Sequence, residues 1–412
     1  MFLALTDEGT ILSRSTRNGN FVLLVAGQFV SQMGDRLAMV AFPWLVYRTT
    51  GSALSTGVVL ALFTLPYVLF GTIAGGVLDR IDKRGVMVAA DIARGGLVLA
   101  VPFVATHTTG GLYALAFAVA TATVFFEPGL MALLPDIVPK DDLLRANSVL
   151  AASEHITEIV GFSAAGFLVF YLSTRTTFTL DAATFGVSAL TLLAMTVRPS
   201  HGAEESDTGD KGGPTGFSAA IAEGIRYLRG HVGLRANTGL AIATAAGAGA
   251  FYPLTFLLAI DRFGGTAAFG FMEASLAVGY LCASGVIGWS ATRVRKGLAI
   301  TVGLMAMGVL AALPWVIHAL PLVLLDLGFM GAANAAVLIS IDTYVQATVP
   351  PKLRGRVWGA RFTLTQGAFA VGVIAAGALA AGLGLGPLFG LCGAVLFVPA
   401  LIGLFLPVIR DV

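Results

Sequence analysis

The sequence predicts an all-α membrane protein with twelve transmembrane helices, arranged as two parallel six-helix halves around a central cavity. Of its 412 residues, 57% are hydrophobic and only 12% are charged, and the mean hydropathy is +0.86. This composition does not fit a water-soluble surface. Apolar stretches of about 20 residues, the length of a bilayer-spanning helix, recur along the chain. Sequence features of the first half also return in the second half.

The transmembrane spans are predicted from apolar stretches that are separated by charges and by clusters of Pro and Gly. The first stretch is too long for a signal peptide and lacks a small-residue cleavage site, so we expect it to stay in the protein. The predicted spans are residues 20–47, 54–76, 86–107, 111–134, 147–171, 176–197, 236–259, 266–290, 297–318, 321–346, 360–382 and 385–408.

The two sets of six spans are separated by a polar connection. Residues 198–216 are rich in Gly, Ser, Pro and acidic side chains, which predicts a flexible linker. In residues 217–235, apolar side chains recur at helical spacing beside a basic fringe. This pattern fits either a helix lying on the membrane surface or a solvated helix packed on the bundle. The predicted organisation is therefore an N-terminal half (1–197), a cytoplasmic linker with an amphipathic helix (198–235) and a C-terminal half (236–412).

The positions of the 25 Lys and Arg residues predict the orientation in the membrane. With a cytoplasmic N-terminus, only Arg48, Arg175 and Arg262 fall in outer connections, while Arg36 and Arg94 lie within spans. All the other basic residues are then cytoplasmic, as the positive-inside rule requires. We expect a multi-pass protein of the plasma membrane with both termini in the cytoplasm.

An internal repeat predicts two parallel halves. Pro43 of the first span and Pro253 of the seventh have similar neighbours and are 210 residues apart. A Val-Pro dipeptide that ends at Pro139 returns 211 residues later at Pro350, again followed by basic residues. Halves related by an axis along the membrane normal enclose a central cavity in many secondary transporters.

The loop after the second span reads GGVLDRIDKR, and it resembles the loop 2-3 signature of the major facilitator superfamily. Asp82 replaces the second Gly of that signature, as is common in the branch of macrolide-efflux and enterobactin-exporter-like proteins. QFVSQMGDRL in the first span and VPPKLRGRVWG before the eleventh are similar to the same branch. The residues that match the signature are Gly75, Asp79, Arg80, Lys83 and Arg84.

The resemblance implies a secondary exporter that works by alternating access, with a conformational gate at this loop. Asp79 would face the start of the eleventh span, near Arg361. The alternative is a solvated loop that only fixes topology. Asp91 and Arg94 share one face of the third span and are interpreted chiefly as a structural ion pair near this gate. Since the fourth span lacks the Arg of many drug exporters in the superfamily, Arg94 is also the candidate to replace it.

Five residues are candidates for proton coupling, because ionisable side chains inside a span are costly and therefore often functional. Asp35 and Glu158 lie near the middle of the first and fifth spans, far from water. Glu154 is one helical turn from Glu158, His155 adjoins both, and Glu127 precedes Pro128 in the fourth span. Alternatives are a buried structural cluster around Glu158 and a hinge support at Glu127. Ionisable residues that lie nearer the span ends, where a role in coupling is less expected, are Asp181, Glu273, Asp326 and Asp342.

Contact with the substrate is assigned to neutral polar and aromatic residues of the spans. Amides near the membrane midplane suit polar contacts, and aromatic rings could stack on an amphiphilic ligand. The alternative for the aromatic residues is packing or an interface belt. The substrate-cavity candidates are Asn334, Gln366, Phe63, Tyr67, Phe251 and Tyr252.

The motifs exclude several functions. The chain has no phosphate-binding G-x-x-x-x-G-K-[ST] loop, no H-E-x-x-H and no G-x-S-x-G, so we expect neither ATP-driven transport nor an enzyme, and no metal or cofactor. A net charge of +2 without a basic tail gives no reason to expect nucleic acid as a partner. The predicted function is export of a hydrophobic or cationic small molecule in exchange for protons, by a monomer in the lipid bilayer. Alternatives are a siderophore or lysophospholipid transporter, a nutrient importer, and a non-transporting receptor.

Overall fold

The computed structural model describes residues 19–78, 82–105, 108–139, 142–196, 217–290 and 296–405. These residues form thirteen helices and no strand. The helices are α1 (Gly19–Thr50), α2 (Ala53–Leu78), α3 (Lys83–Val104), α4 (Thr109–Ile137), α5 (Leu143–Tyr171), α6 (Thr174–Ala194), α7 (Phe217–Gly230), α8 (Val232–Phe263), α9 (Thr266–Ser290), α10 (Lys296–Val316), α11 (Leu320–Thr348), α12 (Pro351–Leu383) and α13 (Leu385–Leu404).

Twelve of these helices have 20 residues or more and correspond to the twelve predicted spans. Ten of the twelve are long and apolar enough to cross a membrane by length and composition alone. The other two, α1 and α5, have 32 and 29 residues but carry charged side chains near their middles, Asp35 and Arg36 in α1 and Glu154 and Glu158 in α5. Both pack inside the bundle, α1 against α5 and α6, and α5 against α9. A polar helix is tolerated there because its polar face meets protein or a cavity instead of lipid.

The two sets of six long helices pack in the same pattern, which is the structural counterpart of the sequence repeat. In the first set, α1 contacts α5 and α6, α3 contacts α4 and α6, and α2 contacts α4. In the second set, α8 contacts α12 and α13, α10 contacts α11 and α13, and α9 contacts α11. Each pair of helices in contact in the first set therefore has an equivalent pair in the second set. The predicted fold class is confirmed.

Two helix pairs join the halves, α2 with α12 and α5 with α9. Both contacts include glycines at which the backbones approach closely. A Cβ on Gly57 would lie only 2.9 Å from the carbonyl oxygen of Val373, and one on Gly166 would lie 2.9 Å from the Cα of Gly270. These glycines lie near the end of the bundle where α1 and α5 end and α2 and α9 begin. Tyr47 of α1 donates a hydrogen bond of 3.2 Å to Asp261 of α8 at the same end.

Helix α7 packs on the bundle, chiefly against α12. Buried Leu228 of α7 belongs to an apolar cluster with Val357 and Ala360 of α12. Arg356 of α12 donates a hydrogen bond of 2.6 Å to Glu223 of α7. These contacts fit a helix packed on the bundle, which is one of the two alternatives that the amphipathic pattern leaves open.

Several predicted boundaries are wrong by more than a turn at the predicted cytoplasmic ends. Helix α12 begins at Pro351 and not at 360, and α5 and α8 each begin four residues before the predicted start. Hydropathy detects the apolar part of a helix, whereas hydrogen bonding continues through polar residues. Pro351 occupies the first turn of α12, where its missing N–H costs nothing. The predicted linker, residues 198–216, lies outside the described residues.

Candidate functional site

One cavity has a volume of about 420 Å³ and lies between α5 and the second set of helices. We call it the large cavity. Helix α5 contributes His155, Glu158 and Phe162, and α9 contributes Glu273 and Tyr280. Four helices of the C-terminal set complete the wall with Phe251, Tyr252, Met307, Met330, Asn334 and Phe369, among others. The cavity therefore combines two carboxylates with a wall of aromatic rings and thioethers.

A second cavity, which we call the polar cavity, has a volume of about 150 Å³ and is enclosed by α1 to α5. Its ionisable lining residues are three carboxylates and two guanidinium groups, and Gln28, Ser31 and Gln32 add neutral polar groups from α1. The ionisable residues are Asp35, Glu127, Glu154, Arg36 and Arg94.

A third cavity of about 260 Å³ lies between the halves, and we call it the joint cavity. It shares Phe63 and Tyr67 with the polar cavity and Tyr252 with the large cavity, and Gln366 of α12 also lines it. The three cavities thus have lining residues in common. Every sequence-predicted coupling or substrate residue lines at least one of them, although this position does not test the roles that were predicted.

Arg94 is held at the centre of a buried ion-pair network in the first set of helices. Its guanidinium is 1% exposed, forms a hydrogen-bonded ion pair with Asp91 on the same helix, and lies 3.4 Å from the carboxylate of Asp35 on α1. The rings of Phe126 and Phe185 lie 4.6 and 4.4 Å from the guanidinium carbon. Such contacts offset part of the cost of removing the charge from water. The predicted Asp91–Arg94 pair is present, and Asp35 is a member of the same network.

Arg36 pairs with Glu158 and not with Asp35, the carboxylate next to it in sequence. Its guanidinium lies 3.7 Å from Glu158 of α5 and 5.3 Å from the ring of Phe162. His155 approaches the other oxygen of Glu158 at 3.2 Å through its Nδ1. Glu158 therefore has two partners, one from α1 and one from its own helix. Sequence reasoning noted Arg36 but did not find this partner, because the pairing of α1 with α5 is a tertiary contact.

Three carboxylates that line cavities have no hydrogen bond or ion pair with any residue that the structure describes. Glu127 and Glu154 face the polar cavity, and Glu273 faces the large cavity. Glu154 and Glu158 lie one turn apart on α5 but line different cavities. Glu154 and Glu158, which were expected to interact because of their spacing, therefore face two different cavities.

Three of the residues nearer the span ends face the interior of the bundle. Glu273 lies two turns inside α9 and lines the large cavity. Asp181 is fully buried in α6, where neither carboxylate oxygen has a hydrogen-bond partner among the described residues. Distance from a span end does not tell which face of a helix meets the bundle. Asp326 is likewise buried, at 6% exposure, in α11.

The described part of the loop 2-3 signature ties α3 to its neighbours. Lys83 forms an ion pair of 2.9 Å with Asp136 of α4, and Arg84 donates two hydrogen bonds to carbonyl oxygens at the end of α6. Asp82 caps α3 through Gly85 N–H. Gly75 lies in α2. Asp79 and Arg80 lie outside the described residues, so the gate remains a prediction.

At the other side of the predicted gate, Arg361 is buried in α12 and lies 4.0 Å from Asp342 of α11. Its guanidinium is 5.4 Å from the ring of Trp358. Asp342 is half-exposed, as expected for a residue near a span end. No group of His, Cys, Asp and Glu that could hold a metal ion occurs in the described ranges.

Twelve long helices in two equally packed halves, with polar cavities at their junction, define the class of multi-pass membrane transporters. The family model "Major Facilitator Superfamily" matches residues 24–283, more than half of the chain, and the chain belongs to this superfamily.

Proteins with similar sequences agree with this assignment. The chain is 29% identical to the multidrug efflux pump Tap of Mycolicibacterium fortuitum, over 96% of this chain and 98% of that protein. It is 25% identical to macrolide efflux protein A of Streptococcus pyogenes, over 70% and 71% of the two chains. The crystal structure of the nucleoside transporter NupG shares the fold, with a TM-score of 0.77, 14% identity and coverage of 93% of this chain and 98% of that one. The resemblance to the drug-exporter branch is thus confirmed.

Proposed function

We propose that the protein exports hydrophobic or cationic small molecules from the cell by alternating access, in exchange for protons. The observation that carries this proposal is the set of carboxylates around the three cavities, of which Glu127, Glu154 and Glu273 have no partner among the described residues. Their negative field favours a cation, and the aromatic walls favour an apolar body. Multidrug and macrolide efflux proteins among the relatives support the same substrate class.

Exchange follows if a proton and a cationic substrate compete for the same carboxylates. A substrate that enters from the cytoplasm displaces protons from the cavity, and protons from outside later displace the substrate. Asp35 and Glu158 each have an arginine within 4 Å, so their protonation would break an ion pair. The three unpaired glutamates exchange a proton without that cost. We therefore assign proton uptake to Glu127 and Glu154, with Asp35, Glu158 and His155 transmitting the change to α1 and α5.

The contacts between the halves lie at one end of the bundle, which indicates the side from which this state is accessible. Gly57, Gly166 and Tyr47 bring the halves together at the end that the Lys and Arg distribution predicts to be extracellular. A cavity closed at that end is in the state that loads substrate from the cytoplasm. Asp79 would stabilise the opposite state, which is closed on the cytoplasmic side, by a contact with the N-terminal end of α12. The protein would work as a monomer in the plasma membrane, with both termini in the cytoplasm. Its cavities would hold the substrate and would be closed to lipid.

The most informative experiment is accumulation of a panel of compounds in cells with and without the protein, at imposed pH gradients. We expect lower accumulation of amphiphilic cations, and little change for anions of similar size. A matched strain that produces the Glu127→Gln, Glu154→Gln variant controls for expression and should lose the proton-driven part. Lower accumulation of anions but not of cations would reject the substrate class.

A further inference from the structure

The large cavity carries one carboxylate that no described residue neutralises. Glu273 of α9 contributes its side chain to the wall and has no hydrogen bond or ion pair. None of the described residues that line this cavity is Lys or Arg. The polar cavity differs, because Arg36 and Arg94 both line it. A cation in the large cavity would therefore meet Glu273 with no basic side chain of the wall beside it, since Arg36 acts on Glu273 only from the neighbouring polar cavity.

The second carboxylate of the large cavity, that of Glu158, already forms an ion pair with an arginine. Arg36 reaches it from α1 at 3.7 Å, while Phe162 lies under the guanidinium. Gly161 leaves space for this arginine, since a Cβ at that position would lie 2.9 Å from Arg36 Cγ. The Arg36–Glu158 pair has no net charge. Of the two carboxylates of the large cavity, Glu273 is then the one without a paired basic residue among the described residues.

The rest of the wall suits the body of an aromatic cation. Tyr252, Phe251 and Tyr280 line the cavity together with two methionines, and the buried hydroxyl of Tyr252 has no partner in the described part of the chain. Aromatic faces attract cations, and thioethers adapt to irregular apolar surfaces. A volume of about 420 Å³ is within the range of small-molecule sites.

We propose that the large cavity is a site for aromatic organic monocations, with Glu273 as the anchor of the positive charge and Arg36 as the residue that limits the preferred charge to one. Arg36 does so by occupying Glu158. Removal of Arg36 would release Glu158 into the cavity and create a site for two positive charges. This proposal rests on the proposed function only in that the exported substrate enters this cavity. The equilibrium binding that it predicts can be measured without transport.

Ethidium and propidium are suitable probes, because they share one aromatic ring system and carry one and two positive charges. Binding to the purified full-length protein is measured by fluorescence at one fixed pH for all variants. The wild type should bind ethidium more tightly than propidium. Glu273→Gln should weaken ethidium binding by about tenfold or more, the effect of losing one charge-assisted contact. Glu273→Asp, which keeps the charge, should retain most of the affinity.

Arg36→Gln gives the second, independent test, because it should reverse the preference and favour propidium. Matched controls are Asp142→Asn and Arg145→Gln, which remove the same charges from a pair at the start of α5 that lines none of the three cavities. Both controls should bind like the wild type. Thermal melting of each variant shows that the fold is retained, and Glu273→Asp tests the anchor if Glu273→Gln does not fold.

The outcomes separate this inference from the proposed export. Ethidium binding that depends on Glu273, in a protein that does not export, supports the site and rejects the exporter. Export of ethidium with equal affinity in the wild type and in Glu273→Gln overturns the site but keeps the exporter. A propidium preference in the wild type, or an unchanged preference in Arg36→Gln, overturns the role of Arg36.

Discussion

At the scale of single residues, Arg94 shows how a charge is kept inside a helical bundle. Its guanidinium is held by Asp91, Asp35 and two aromatic rings, and it is almost completely buried. The two carboxylates are not equivalent. Asp91 is fully buried and forms the close pair, whereas the side chain of Asp35 is 30% exposed and faces the polar cavity. Asp91 therefore has the structural role, and Asp35 is free to respond to the cavity.

This difference gives a prediction for two substitutions. Asp91→Asn should lower the stability of the protein strongly, since breaking a buried ion pair typically costs about 3 to 5 kcal/mol. Asp35→Asn should lower it much less, because Arg94 keeps Asp91, and substrate binding should survive while proton-driven export fails. The measurements are melting temperature in detergent and pH-driven transport in vesicles. Asp142→Asn controls for loss of a carboxylate whose ion-pair partner, Arg145, is exposed, and such pairs are worth about 0 to 1 kcal/mol. A larger loss of stability in Asp35→Asn than in Asp91→Asn would reverse the two roles.

Sequence reasoning found most of the residues at the cavities but not their pairings. Asp35, Glu127, Glu154 and Glu158 are recognisable because charges are rare in apolar spans. The position of Glu273 at the large cavity was not predictable from its distance to a span end, because the helical face that meets a cavity depends on tertiary packing. The Arg36–Glu158 pair joins residues that are distant in sequence, so no local pattern indicates it.

At the scale of helices, the glycine contacts between the halves should control the balance between conformations. A methyl group at Gly57 would lie 2.9 Å from Val373 O and 3.3 Å from Gly377 Cα, so Gly57→Ala should weaken the closed end. Overpacking of a tight contact costs about 1 to 3 kcal/mol, and about 1.4 kcal/mol changes a two-state ratio tenfold.

The measurement is labelling of a cysteine placed at Met39, which lines the polar and joint cavities, by an impermeant thiol reagent added from outside. The exposed Cys282 is first changed to Ser. Gly57→Ala should increase labelling several-fold. Gly96→Ala is the matched control, because a Cβ at that position meets no atom within 4 Å. Equal labelling in the two variants would show that this contact does not set the conformation.

Helix α7 provides a second prediction at this scale. Gly224 is buried against the carbonyl of Arg356, and a Cβ at Gly224 would lie 2.9 Å from the Cβ of Ala360. Gly224→Leu should therefore displace α7 from α12 and speed cleavage by trypsin at the exposed Arg226 and Arg229. Gly230→Leu adds the same side chain where no atom lies within 4 Å and should leave the cleavage rate unchanged. An undisturbed rate in Gly224→Leu would mean that the packing of α7 does not protect these bonds.

The helices themselves were largely predictable. Twelve apolar stretches and an amphipathic segment gave the thirteen helices, and the repeat of Pro43 at Pro253 gave the relation between the halves. Helix starts in polar sequence, such as Pro351 in α12, were not predictable from hydropathy. The charged residues in the middle of α1 and α5 are explained by their position, because they line the cavities.

At the scale of the whole molecule, two similar halves meet around cavities whose carboxylates outnumber their arginines. The pairs α2–α12 and α5–α9 are equivalent under the repeat, so one rocking motion can open both at once. Ion pairs such as Lys83–Asp136 tie helices within one half and would move with it. The cycle then depends on contacts between the halves and on the occupancy of the carboxylates.

The most direct test of this account is accumulation of ethidium by vesicles that contain the purified protein, with the membrane potential clamped and sodium absent. If protons drive export, vesicles with an acidic interior should concentrate ethidium through inside-out molecules, and an uncoupler should abolish the accumulation. Vesicles without protein, and vesicles with the Glu127→Gln, Glu154→Gln variant, should show only passive equilibration. The same accumulation with and without the pH gradient would contradict proton-coupled export.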